Sequence, residues 1–429
     1  MCPAPKLKSF RLGRVISVMR ICVCLSLLGA SLCPSLCRGQ GMLSLDEAIS
    51  QALDLRASLR ADAARISVAE GMRKQAGLRP NPEFQFQNEN LRPGQTYSRD
   101  VDTLALINQP LDLVGKRGQR IAVADKNVAR ARAEYDLSRQ DIVRRVRLAY
   151  WAARGSQEVR EILRVTADNF QKIVDYHAAQ LSVGAIAEQD LLRVRLEQER
   201  LRISANLAVI DANRARVELL KEMGKTDFSE ITLTEPLTLD RNIQPIGLEQ
   251  TLAQRFEIKV ARAALDEAAA SAKLQDVAAR PDLNLTYGYK RTQLPDALSG
   301  VNTAIVSLRI TLPTTDKNQG NRVAAEAEVR RRRELVAAAE SEVRMEYNGA
   351  LQEFQLRRAE VQNAFQPLRE HAANIAQIAG AAYAEGGVDL LRLLDAERAR
   401  LDAELAWARG MVDYWQSVAR LEAAEGVGQ

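Results

Sequence analysis

The chain has 429 residues, with aromatics at 5%, charged residues at 27%, 23 glycines and 13 prolines. A sequence so crowded with Ala, Leu, Arg and Glu has the profile of long helices, not of compact α/β domains. The formal charge of +5 sits wholly in residues 1–37, as Lys6, Lys8, Arg11, Arg14 and Arg20. The remainder is neutral overall, which removes the main support for a nucleic-acid footprint.

All five cysteines (Cys2, Cys22, Cys24, Cys33, Cys37) fall in that same segment. A basic stretch ends at Arg20, residues 21–33 are apolar, and Pro34 closes the run. This predicts a secretory signal over 1–37, with Met19 as an alternative start. The run is too short for a comfortable transmembrane helix. Cleavage near Cys37 or Gly39 would leave a mature chain without a thiol, excluding disulfides, thiolate zinc sites and cysteine nucleophiles. The lipid-anchor signal is weak, because Leu32 and Leu36 stand before Cys33 and Cys37 where a small residue is wanted. No later segment has 18 apolar residues in a row, so a membrane span must be built from strands.

The rest of the chain is written twice. R-P-N-P-E-F-Q-F at 79–86 answers R-P-D-L-N-L-T-Y at 280–287, and Gly118-Gln119-Arg120 answers Gly320-Asn321-Arg322. V-R-L-A-Y at 146–150 resembles V-R-M-E-Y at 343–347. Gly184 with Asp190-Leu191-Leu192-Arg193 answers Gly386 with Arg392-Leu393-Leu394-Asp395. The spacing changes by about one helical turn between these landmarks, which is expected to keep one face inward. Two repeats are predicted, 43–223 and 246–424, joined by a linker at 224–245.

In each repeat the order is short helix, strand pair, long helix, Gly turn, return helix. A helix over 44–78 opens on a capping box, Ser44 with Glu47, and stops at Pro80 and Pro82. Strands follow at 83–90 and 102–109. Phe84, Phe86 and Asn88 share one face of the first, and Leu104, Leu106 and Asn108 share one face of the second. The second repeat has strands at 282–290 and 303–312, with Leu283, Leu285, Tyr287 and Tyr289 together, and Val306, Leu308 and Ile310 together. Alternation over about ten residues suits a strand between lipid and water, with an ordinary soluble hairpin as the alternative. Polar loops at 91–100 and 292–300 join the strands.

Long helices are predicted over 113–181 and 318–384, each about 100 Å. Val128, Tyr135, Ile142 and Ala149 keep a seven-residue spacing, as do Val329, Val336, Val343 and Ala350, which is a coiled-coil seam. Gly184 and Gly386-Gly387 mark the turns. Return helices follow at 188–223 and 389–424. Each is half as long as its neighbour, so two short helices stacked end to end would match one long one. Four strands cannot close a barrel and would leave unpaired edges in lipid, so the chain is expected to oligomerise. Three copies would supply twelve strands.

The duplicated order, the strand pairs, the G…LL tips and I-N-Q-P-L-D-L-V-G-K-R-G-Q-R at 107–120 resemble the TolC-like outer-membrane efflux proteins. G-K-R-G-Q-R and P-N-P-E-F look most like the cobalt–zinc–cadmium (CzcC-like) branch. The resemblance implies a mainly α homotrimer, with an outer-membrane β-barrel and a periplasmic α-barrel. It implies docking at the tips, Gly184, Gly386 and Gly387, to a periplasmic adaptor and an inner-membrane pump of the resistance-nodulation-division type. The cargo it implies is divalent heavy-metal cations; drug or protein export by the same fold is the alternative.

In such proteins acids after the second tip glycine narrow the pore. Here the matching residue is Asp395, with Arg392 where another acid would stand and Asp389 as a further candidate. Asp190 and Arg193 are the matches in the first repeat. Arg392 and Asp395 could instead pair with each other as i,i+3 neighbours. Phe84, Phe86, Tyr287 and Tyr289 could form an aromatic girdle against outer-membrane lipid, or pack as ordinary strand residues.

His177 and His371 are the only histidines. Neither has a second ligand at i+4, so no metal site is expected. The run Arg330–Arg333 reads as a solvated helix face. No HExxH, P-loop, dinucleotide fingerprint or G-x-S-x-G motif is present, and neither a cofactor nor an enzyme activity is expected. A periplasmic adaptor would have one hairpin flanked by β-rich domains. A coiled-coil scaffold would leave the strands and the signal without a role.

Overall fold

The computed structural model describes residues 41–91, 101–239, 243–293 and 300–427. The expected signal over 1–37, with its cysteines, lies outside the described residues, as does most of both polar strand loops.

A short strand, β1 (Gly41–Leu43), leads into α1 (Leu45–Leu55). The Ser44 hydroxyl accepts from the Glu47 N–H at 3.3 Å, and the Glu47 carboxylate accepts from the Ser44 N–H at 3.0 Å. These bonds satisfy two N–H groups that a helix start leaves free. They also hold the Glu47 carboxyl below its ordinary range. The helix does not run on to 78 as expected. It breaks at Arg56, which is extended (φ −67°, ψ 117°), and restarts as α2 (Ala57–Ala76). The second repeat breaks in the same way at Arg255, between α5 (Leu248–Gln254) and α6 (Phe256–Ala278).

The long helix α3 (Lys116–Ser182) has 67 residues, about 100 Å. A hairpin turns it into α4 (Glu188–Glu222). The expected single helix over 318–384 is instead three pieces: α7 (Gln319–Glu360), a π-helical segment (Val361–Phe365) and α8 (Gln366–Ala384). Pro367 is the cause, since it lacks an N–H and its ring needs the space of the Asn363 carbonyl. The π segment also corrects the spacing argument. Tyr150 and Gly184 are 34 residues apart, Tyr347 and Gly386 39. Five residues exceed one turn of 3.6. A π turn absorbs one extra residue and so restores the face. The last helix is α9 (Leu390–Glu425).

All eight seam positions named above are buried or half-buried. Around α3 pack α2 and α4 on one side, α6 and α9 on the other, and α7 and α8 lie beyond α6 and α9. Thus α2 with α4, and α6 with α9, each match one long neighbour. Two close approaches tighten this layout. A Cβ on Gly155 would lie 2.0 Å from Val412 Cγ2, and one on Gly410 2.3 Å from the Phe365 ring.

The segment 224–245, expected as a linker or equatorial segment, contributes strand β4 (Ile231–Leu233), which pairs with β1. Its apolar residues are drawn to the largest core cluster, where Leu43, Ile231, Leu233 and Leu237 join Tyr150, Trp151, Leu219, Met411, Tyr414 and Trp415.

Four strands form one antiparallel sheet in chain order: β2 (Glu83–Glu89), β3 (Asp102–Leu111), β5 (Leu283–Thr292) and β6 (Val301–Ile310). Residues paired across an antiparallel ladder share a face. Phe84, Ile107, Tyr287 and Val306 form one apolar row, and Phe86, Ala105, Tyr289 and Ala304 the next. The opposite face carries Glu83, Asn108, Thr286 and Ser307, and Gln87, Leu104, Lys290 and Thr303. Apolar and polar faces therefore separate on β2, β5 and β6. Strand β3 departs from the expectation: Leu104 and Leu106 stand on the glutamine side, opposite Phe84 and Phe86. There Leu106 packs where β3 and β5 run close, for a Cβ on Gly288 would lie 2.2 Å from the Ala105 carbonyl.

Candidate functional site

At the far end of the helices the two hairpins repeat each other. Gly184 (φ +74°) and Gly386 (φ +75°) are left-handed, a conformation that glycine adopts cheaply. Ala185 N donates to the Gln180 carbonyl at 2.9 Å, and Gly387 N to the Ala382 carbonyl at 2.8 Å. These are Schellman closures, which satisfy the last carbonyls of α3 and α8. Gly387 has Ala185 as its counterpart and no positive φ, and a Cβ added to it would lie 3.3 Å from the Ala382 carbonyl.

Beneath the turns lies an apolar cluster of Phe170, Val174, Leu191, Val194, Leu390, Leu393 and Leu394. The paired-leucine motifs feed it from both repeats, though Leu192 stays 55% exposed while its counterpart Leu394 is buried. The acids are placed around this cluster. Asp389 caps α9, its carboxylate accepting from the Arg392 N–H at 3.0 Å. Asp395 is exposed and lies 3.5 Å from Arg398, one turn on. The Arg392 guanidinium is exposed and has no ion pair among the described residues. The i,i+3 pairing of Arg392 with Asp395 is therefore absent: the acid turns toward Arg398. Asp190 is half-buried and Arg193 exposed.

Arg398 also donates from Nε to the buried Glu197 at 2.9 Å, which Arg200 joins at 2.9 Å. That hydrogen bond holds Arg398 above its ordinary pKa. A charged path thus runs from Asp395 through Arg398 to Glu197, linking the return helices of the two repeats. Sequence reasoning missed it, because Glu197 and Arg398 lie 201 residues apart and neither stands out in a helix rich in both residue types.

His177 is buried at 1% exposure. Its Nδ1 lies 2.8 Å from the Ile173 carbonyl, which can only accept. The proton is therefore on Nδ1, and in the neutral ring Nε2 accepts from the Tyr383 hydroxyl at 2.8 Å. Burial pushes that hydroxyl's pKa up. Both ring nitrogens are engaged, so the ring ties α3 to α8. His371 is exposed. In the run Arg330–Arg333, Arg331 and Arg332 both grip Glu328 at 2.7 Å and pull its carboxyl down to about 2.

Midway along the helices the two repeats carry matching anchors. Arg56 Nη1 donates to the Glu222 carbonyl at 3.0 Å and to the Glu222 carboxylate at 2.6 Å. Arg255 Nη1 donates to the carbonyls of Ala423 and Ala424 at 3.0 and 2.8 Å. Each arginine thus covers the end of its own repeat's return helix, where free carbonyls and the helix dipole favour a cation. Gly224 (φ +74°) and Gly426 (φ +72°) close those ends. Tyr150 donates to the Leu43 carbonyl at 2.9 Å, and Tyr347 donates to the Ile246 carbonyl. The tyrosines were visible in the repeat. The arginines were not, although L-D-L-R-A-S-L at 53–59 answers L-A-Q-R-F-E-I at 252–258.

Duplicated hairpins, a two-faced sheet at one end and glycine tips at the other define an outer-membrane efflux protein. The family model for "Outer membrane efflux protein" matches residues 48–225 and 247–427, and the chain belongs to that family. It is an outer-membrane protein that extends into the periplasm. It is similar to the cobalt-zinc-cadmium resistance protein CzcC of Cupriavidus metallidurans, 26% identical over 400 residues, which cover 92% of this chain and 93% of that one. Among solved structures, CusC shares the fold with a TM-score of 0.72 at 22% identity, over 90% of this chain and 92% of that one. The open-state MtrE outer membrane channel of Neisseria gonorrhoeae matches with a TM-score of 0.72 at 20% identity, over 90% and 89% of the two chains.

Proposed function

We propose that three copies close around an axis into a passive duct. It would carry divalent heavy-metal cations to the exterior from an inner-membrane pump of the resistance-nodulation-division type and a periplasmic adaptor. The observation that carries this reading is that one chain has two open sides. One runs along β2, α2 and α4, the other along β6, α7 and α8. On α4, Leu192, Leu196, Ile203, Leu207 and Ile210 are 49–61% exposed at spacings of four, seven, four and three. That is a helix-packing stripe without a partner. On α8, Leu368, Ile375 and Ile378 are 49–68% exposed. The outer edges of β2 and β6 likewise pair with no further strand among the described residues. A head-to-tail contact between unlike sides that closes on itself makes a ring.

In this duct the apolar sheet face meets lipid. Phe86 and Tyr289 sit in the row beside Asn88, Thr103, Arg291 and Asn302, with Phe84 and Tyr287 one row deeper. That order suits an aromatic girdle at a boundary. The tips at Gly184, Gly386 and Gly387 receive the adaptor. Three copies of Asp395 and Arg392 ring the pore mouth. Asp389, which also caps α9, is the further candidate beside them. Cation passage needs only weak contacts, since tight binding would stop conduction. The metal cargo is supported by the likeness to CzcC along nearly the whole of both chains.

Growth of a deletion strain on divalent metals and hydrophobic drugs tests this reading, with plasmids carrying the intact chain or Asp395→Ala. Sensitivity to Co, Zn, Cd or Ni, rescued by the intact chain, is expected. Sensitivity to drugs alone would overturn the metal cargo and leave a general duct.

A further inference from the structure

Where the sheet hands over to the helices, four segments form one belt. Register places Leu111 opposite Leu283 and Leu283 opposite Ile310, so β3, β5 and β6 end at this level, while β2 stops three residues short, with Glu83 opposite Asn108. The Gln109 side chain donates to the Pro80 carbonyl at 3.3 Å. Lys116 meets Asp282 at 2.7 Å, and Arg280 donates to the Val114 carbonyl at 2.8 Å. The belt is therefore stitched across both repeats.

Two features of this belt have no partner among the described residues. The first is apolar. Leu113 is 73% exposed and Leu312 71% exposed, at matching places 199 residues apart. Each lies two residues past the Leu111–Leu283–Ile310 row, beyond the end of its strand, where continued alternation would add one row to the apolar face. From Ile310 to Ala304 that face covers about 20 Å along the strand, or roughly 15 Å of height at a barrel tilt. A lipid-facing band is about 25 Å tall. The added leucine row brings the height to roughly 20 Å and nearer that value.

The second feature is basic. Arg79 and Lys317 are exposed and without an ion pair among the described residues. The Arg117 guanidinium also has no ion pair there, and its Nε is buried without a hydrogen-bond partner. Nearby acids are engaged elsewhere: Asp112 with Arg120, Asp282 with Lys116, and Asp316 with the Asn318 N–H. Arg117 belongs to the G-K-R-G-Q-R run.

We infer that this belt is a docking surface for anionic phospholipid in the leaflet that faces the helices. Leu113 and Leu312 enter the acyl layer, while Arg79, Arg117 and Lys317 contact headgroup phosphates. Exposed leucines beside unpaired cations match such a boundary in both polarity and charge. The inference rests on the proposed barrel.

The test uses the mature chain in vesicles of phosphatidylcholine alone, or with about a quarter phosphatidylglycerol. Lipids retained after detergent extraction are counted by native mass spectrometry, for the intact protein and for Arg79→Gln with Arg117→Gln and Lys317→Gln. The intact protein is expected to enrich phosphatidylglycerol severalfold and to lose that enrichment as salt rises. Removing all three cations should abolish the enrichment, since each contributes attraction to an anionic surface. Insertion of the triple variant with undiminished enrichment would overturn the inference while leaving the barrel standing. Failure of the intact protein to insert into either vesicle would overturn the barrel, and the inference with it.

Discussion

Trp151 of α3 lies flat on Trp415 of α9, with ring centroids 4.4 Å apart and planes 12° apart. Tyr150 and Tyr414 meet this stack edge-on at 5.7 and 5.4 Å. The stack joins the long helix of the first repeat to the return helix of the second, at the centre of the largest core cluster. Trp415→Ala is expected to destabilise by about 3–5 kcal/mol, from lost burial and the cavity left behind. The Trp415 Nε1 has no hydrogen-bond partner among the described residues, so Trp415→Phe sheds an unsatisfied donor. Its loss should stay under about 1.5 kcal/mol. Unfolding in detergent compares the two variants; equal losses would count against a packing role for the ring.

Gly155 faces Val412 where α3 and α9 cross. Helix propensity alone favours Ala by about 1 kcal/mol. The approach of 2.0 Å forbids it, and Gly155→Ala is expected to destabilise by about 1–3 kcal/mol. Adding Val412→Ala opens the space and should recover most of the loss. A double-mutant cycle showing simple additivity would contradict the contact.

Glu425 is buried, and burial raises its carboxyl above the ordinary 4.5, despite the Ile246 N–H donated to it at 2.9 Å. A raised acid favours folding while it is protonated. Its contribution is full below the unfolded value and is lost as pH rises through the folded one. Glu425→Gln keeps an acceptor for Ile246 and cannot ionise. The variant should gain on the intact protein as pH climbs from 4 towards neutrality. Melts across that range check the sign, and a gap that narrows with rising pH would refute it.

Asp389 and Asp395 should part company under mutation. Asp389→Ala removes an N-cap and is expected to lower stability by about 1 kcal/mol. Asp395 is 60% exposed and only 3.5 Å from a partly exposed Arg398, so Asp395→Ala should leave the melt nearly unchanged. Any effect of Asp395→Ala on single-channel current in a planar bilayer would then report on the pore. An unaltered current would argue against its place at the mouth.

Much of the fold is legible because it is periodic and written twice. The seven-residue seam, the capping box at Ser44 and the tip glycines each follow from a local rule. The misses are places where tertiary contact overrides local preference. No propensity marks Arg56 or Arg255 as a helix break; the free carbonyls of Glu222, Ala423 and Ala424 supply the reason. Leu104 and Leu106 alternate with the wrong partners because register, not composition, decides which face they join. Pro367 was a readable signal for the π segment. Of the tip residues, position could be read and pairing could not, since Arg398 reaches a carboxylate on another helix.

The open sides along β2, α2, α4 and along β6, α7, α8 are the core of the proposed duct. Their most direct test is the native mass of the detergent-solubilised protein. Three chains per particle, with single chains scarce at low concentration, are expected. A stable single chain that stays soluble with both sides bare would contradict it.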